Sequence, residues 1–131
     1  MKYAVITIGR SGSSELISIL SRYKLDIIPK PYNHLYPNEL LKKYGKKLKI
    51  IFITRNIKDV IQSVIQREKD CGINWIKAHY NHLKSDFKKY NKILEEDTLN
   101  FEKLYNLYVK QNIYDVLFVK YECLYFNHRP T

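Results

Sequence analysis

The chain has 131 residues, 45% hydrophobic and 27% charged, with 23 Lys and Arg against 13 Asp and Glu for a formal charge of +10. One domain with one core is expected at that length, and the composition excludes a disordered polymer or a fibrous repeat. The longest early apolar run, Ala4-Val5-Ile6, falls far short of a membrane span or a signal peptide's apolar region, so a cytoplasmic chain with no membrane association is expected.

Lys2 to Ile8 is β-branched and aromatic up to Gly9 and predicts a buried strand. Gly9-Arg10-Ser11-Gly12-Ser13-Ser14 follows, and Leu16, Ile17, Ile19 and Leu20 then recur at helical spacing, with serine available as the N-cap. Leu25 to Ile28 predicts a short strand stopped by Pro29 and Pro31. After a loop through His34, Pro37 opens a helix that Gly45 ends. Lys49 to Thr54 is the clearest strand, continuously apolar as the interior of a parallel sheet requires. Val60, Ile61, Val64 and Ile65 form the stripe of the next helix. Two more helices are predicted, from about Ile73 to Leu94 and from about Leu99 to Lys110, turning Trp75, Leu83, Phe87, Leu104 and Leu107 inward. Tyr114 to Lys120 is the last strand, and Tyr121 to Phe126 starts a turn or short helix. Strands alternating with helices predict an α/β fold: a parallel β-sheet flanked by helices, with right-handed crossovers.

Cys71 and Cys123 form no CxxC pair or disulfide framework and are expected as free thiols. A charge of +10 suits an anionic partner, although Lys, Asn, Ile and Tyr are all abundant, as in AT-rich coding sequence. The 12 tyrosines do not cluster between basic residues, which argues against nucleic acid as the partner. Lys42-Lys43 and Lys46-Lys47 fit a solvated helix end.

A strand entering a Gly/Ser loop and then a helix gathers backbone N–H groups around one point and favours a phosphate there. Ser11, Ser13 and Ser14 add hydroxyl donors and Arg10 a charged one. No lysine precedes the hydroxyl after Gly12, so the segment is not the Gly-x4-Gly-Lys-Ser/Thr loop of nucleotide triphosphatases. Taken alone, it is equally a tight turn with Ser14 capping the helix. In the second constellation, Arg55-Asn56-Ile57-Lys58-Asp59 followed by Ser63, Arg55 lies at the carboxyl end of the strongest strand, where open α/β sheets bind ligands. Asp59 and Ser63, four apart, share a helix face, so Arg55 and Ser63 suit one phosphate gripped from two sides; alternatively Arg55 pairs with Asp59. His79 and His82 are three apart on a predicted helix with no third ligand near in sequence, so no metal site is expected.

Together these segments resemble the sulfotransferases that use 3′-phosphoadenosine 5′-phosphosulfate (PAPS). Arg10 to Ser14 is similar to the family's 5′-phosphosulfate loop. Lys49 to Asp59 with Ser63 resembles its apolar strand, Arg-Asn-Pro-Lys-Asp and following Ser, and is the most specific match. Asn33-His34-Leu35 with Pro37 and Leu40-Leu41 resembles the Thr-His-Leu-Pro segment, and Val116 to Glu122 the last strand with Tyr-Glu-Asp. Glu15 stands where cytosolic members carry an adenine-stacking Trp, Tyr32 where they carry a Lys, Ile57 in place of Pro and Cys123 in place of Asp.

The resemblance implies a P-loop-like sulfotransferase fold over residues 1–131 and sulfuryl transfer from PAPS to a hydroxyl acceptor, leaving 3′-phosphoadenosine 5′-phosphate (PAP). His34 is then the base and Arg10 stabilises the leaving phosphate. Ser11, Gly12, Ser13 and Ser14 complete the phosphosulfate loop, Arg55 and Ser63 hold the 3′-phosphate, and Tyr121 lies near the adenine. Glu15 is the alternative base, although a helix's first turn is an ordinary place for a carboxylate. The family's donor-covering basic segment follows the last strand, and with Thr131 ending the sequence that cover is expected to be absent or supplied by a partner chain, for example in a homodimer. A PAPS- or PAP-binding module without catalysis and a divergent P-loop nucleotide or nucleoside kinase are the alternatives.

Overall fold

A computed structural model describes residues 1–8, 13–28, 34–80, 83, 85 and 87–125, except the side chains of residues 13–15, 124 and 125. Four strands, β1 (Lys2–Thr7), β2 (Asp26–Ile27), β3 (Leu48–Thr54) and β4 (Val116–Lys120), form one all-parallel sheet in the order β2-β1-β3-β4. The helices are α1 (Ser13–Arg22), α2 (Pro37–Tyr44), α3 (Ile57–Cys71), α4 (Ile73–Tyr80), α5 (Phe101–Lys110) and α6 (Tyr121–Tyr125), with a 3-10 helix at Phe87–Lys92. The α/β class with a helix-flanked parallel sheet is as the sequence predicts.

The central strands β1 and β3 are covered on both faces, which is why their sequences are continuously apolar rather than alternating. Ala4, Ile6, Ile8, Ile50 and Phe52 meet Leu40 of α2, Val60 and Val64 of α3, Ile76 of α4 and Leu104 and Tyr108 of α5 in the main core. Val5 and Ile53, one residue out of phase, are buried at the opposite face of the pleat. Phe52 packs its ring 5.3 Å from Tyr108 and 5.6 Å from Phe118. Burying a side chain of that size contributes about 1.5–3 kcal/mol. At the edge of the sheet, β4 leaves Leu117 and Phe118 exposed.

Pro37 opens α2, and the Tyr36 N–H before it donates to Glu39 Oε1 at 3.1 Å. Gly45 ends the helix at φ +75°, a conformation strained for any residue with a Cβ. α3 begins at Asn56, whose side chain accepts from the Lys58 N–H at 2.9 Å.

Three sequence expectations change. The helix expected from Ile73 to Leu94 stops at Tyr80 and gives way to the 3-10 helix. Carbonyls that would continue it bond to side chains instead: Tyr80 O accepts from Ser85 Oγ at 3.3 Å, and Leu83 O from Tyr36 Oη at 2.6 Å and Asn100 Nδ2 at 2.9 Å. Leu107 is exposed, because α5 turns Phe101, Leu104 and Tyr108 to the core and leaves Leu107 on its outer side. Tyr114 lies before β4, not in it: the Gln111 side chain closes a turn on the Tyr114 backbone, and Tyr114 Oη donates to Gly45 O at 2.6 Å. Cys71 and Cys123 are both free and exposed. Among the described residues no helix is long and apolar enough to cross a membrane.

Candidate functional site

Because all four strands run the same way, their carboxyl ends share one rim. Thr7 of β1 stands beside Ile53, and Thr54 of β3 beside Lys120, so the residues that follow Thr7, Thr54 and Lys120 leave the sheet side by side. β1 leads through α1 outward to β2, and β2 leads through α2 back across β1 to β3. That reversal makes the gap between β1 and β3 a topological switch point, where open α/β sheets bind ligands.

His34 is drawn to this rim from outside the sheet. Its Nδ1 lies 2.8 Å from the Thr7 carbonyl oxygen and 3.4 Å from Thr7 Oγ1, and the side chain is 2% exposed. A carbonyl only accepts, so Nδ1 carries the proton and Nε2 keeps its lone pair in the neutral ring. The adjoining backbone is fixed by Tyr108 Oη, which donates to Leu35 O at 2.6 Å. Burial pushes the Tyr108 phenol far above its ordinary value, keeping it a donor across the working pH range. From α4, the rings of His79 and Tyr80 both lie 5.9 Å from the His34 ring.

Arg55 leaves the end of β3 with its guanidinium carbon 4.4 Å from the centre of the Tyr121 ring, a cation–π contact across the β3–β4 boundary. Neighbouring bonds fix that junction: Asn56 N–H donates to Glu122 Oε1 at 3.2 Å and Thr54 Oγ1 to Val119 O at 3.4 Å. The N-terminus of α3 follows at once and adds the positive end of its dipole to the Arg55 charge. Ser63 lies on α3, partly buried, about two turns in.

Beside Arg55 is a recess of about 190 Å³ walled by Ile8, Ile57, Phe101 and Tyr105, with Thr54 and Glu102 at its polar margin. A larger groove of about 360 Å³ on the α3 side carries Glu95, Glu96 and Asp97 beside Lys58, a net negative lining that disfavours an anionic nucleotide.

The geometry therefore brings His34, Arg55 and Tyr121 to one rim. Arg10, Ser11 and Gly12 lie outside the described residues, as does His82. Ser13, Ser14 and Glu15 are placed by backbone alone, in the first turn of α1. In sequence His79 pairs with His82, three residues on; in the structure it neighbours His34. Its i,i+4 spacing from Trp75 was the available signal, for the two rings stack at 4.6 Å and 9°. Among the described residues no three His, Cys, Asp or Glu side chains are grouped to hold a metal ion. No protein-family model, no curated protein and no solved structure matches this chain.

Proposed function

We propose that the protein is a PAPS-dependent sulfotransferase of P-loop-like fold that transfers a sulfuryl group to a hydroxyl acceptor. The observation that carries this reading is the common rim: a cation with an adjacent aromatic ring, Arg55 on Tyr121, shares the carboxyl edge of the sheet with a buried imidazole oriented by Thr7. A guanidinium beside a flat ring suits the phosphate and base of a nucleotide. An imidazole whose Nδ1 is held by a carbonyl suits removal of a hydroxyl proton at Nε2.

PAPS, as substrate, supplies the sulfuryl group and departs as PAP. As the acceptor oxygen bonds to sulfur and the bond from sulfur to the 5′-phosphate oxygen breaks, the hydroxyl proton passes to His34 Nε2. Arg10 and the backbone of residues 12–14 neutralise the charge that builds on the leaving phosphate, and Ser11, Ser13 and Ser14 orient it. Arg55 and Ser63 hold the 3′-phosphate, the group that separates this donor from ATP. Tyr121 flanks the adenine. The Thr7 carbonyl holds His34 in one tautomer and stabilises the imidazolium that forms. Positioning and charge stabilisation carry the reaction, as in phosphoryl transfer.

Incubating the protein with PAPS and a set of hydroxyl-bearing acceptors, and following PAP by chromatography, tests this. PAP should accumulate with a matching acceptor and not without one. PAPS that binds and stays intact with every acceptor favours a non-catalytic binding module, and magnesium-dependent phosphoryl transfer from ATP favours the kinase reading.

A further inference from the structure

His79 has no part in the chemistry above, yet its surroundings are specific. Its ring lies flat on Trp75, edge-on to Tyr80 at 4.6 Å and 83°, and 5.9 Å from the His34 ring at 67°. A surface histidine has no need of three ring partners, and here one of them is the buried imidazole bound to the β1 carbonyl. We infer that His79 is a positioning residue for His34: held by Trp75, it backs the His34 ring closely enough that protonation of either imidazole opposes protonation of the other.

The physical basis is like-charge repulsion at close range. Two unit charges about 6 Å apart shift one another's titration by about 0.5 to 2 pH units between a water-like and a protein-like dielectric. His34 is buried, so screening by salt is weak. The groups facing His34 include Thr7 from β1 and His79 and Tyr80 from α4. Those facing His79 include His34, Tyr80 and Trp75, and the Arg67 guanidinium of α3 lies over the Trp75 ring at 5.3 Å. The pair then titrates in two coupled steps that belong to both rings. Its functional meaning rests on the proposed role of His34 as base: His79 sets the pH at which that base is neutral and ready.

The test is a histidine ring-proton NMR titration of the whole chain, wild type beside His79→Phe, His79→Gln and His34→Gln. It reads no turnover, so a failed transfer assay and a failed coupling are separate results. In wild type the two rings should titrate over a broader range than one proton requires, or in two steps seen at both. In each variant the remaining imidazole should follow a one-proton curve. Whichever of the pair titrates at lower pH in wild type should move up by about 0.5 pH units or more when the other is replaced. His79→Phe keeps an aromatic ring on Trp75 without charge, and His79→Gln serves if it does not fold. One-proton curves for both rings in wild type, with neither moving by more than about 0.2 pH units in any variant, would overturn the proposal.

Discussion

Replacing His34 with glutamine is expected to lower sulfuryl-transfer turnover by about 100- to 10,000-fold, the usual contribution of a positioned general base. Affinity for PAP should stay within about threefold of wild type, because phosphate binding falls to other residues. The distinction depends on geometry: Nδ1 of His34 is committed to the Thr7 carbonyl at 2.8 Å, so the role of base falls to Nε2. Glutamine keeps a donor for that carbonyl and has no basic nitrogen. Steady-state kinetics beside calorimetric PAP binding make the comparison. Unchanged turnover would remove His34 as base and bring Glu15 forward. Loss of turnover and PAP affinity together would show a structural role instead.

Substituting Arg55 with alanine should weaken PAP binding by about 10- to 100-fold, matching the roughly 1.5–3 kcal/mol of a hydrogen bond to a charged group. AMP, which has no 3′-phosphate, should lose less than about threefold, the part due to the Tyr121 contact. Arg55→Lys restores charge without the planar fork and should fall between the two. Competition binding with PAP, AMP and ATP measures the series. An equal loss for all three nucleotides would contradict selective recognition of the 3′-phosphate.

The elements with strong local signals were legible in the sequence. Ala4 to Ile6, and Ile50, Phe52 and Ile53, are buried on both faces of a parallel sheet, a condition that writes itself as an unbroken apolar run. Pro37 and Gly45 mark the ends of α2 by their own backbone limits. The break after Tyr80 was not legible, because it depends on partners distant in sequence: Tyr36 reaches Leu83 O across 47 residues and Asn100 across 17. Helical periodicity persists in such a segment although its carbonyls are taken by side chains. The outward side of Leu107 has a related cause, since two apolar stripes compete on α5 and the docking of Tyr108 against Phe52 decides between them.

The candidate site divides along the same line. Arg55 and Tyr121 were visible as residues closing strands, and a parallel sheet places all such residues on one rim. The His34–Thr7 contact spans 27 residues and needs the segment before α2 to fold back over β1, which no local pattern records. His79 joins it only because α4 docks there.

The central claim is that this rim recognises a nucleotide bearing a 3′-phosphate, and calorimetric titration with PAP, beside AMP and ATP with magnesium, tests it most directly. The account predicts saturable one-to-one binding of PAP, with AMP and ATP at least about tenfold weaker, the difference one charged contact supplies. No binding of PAP, or a preference for magnesium ATP, would contradict it.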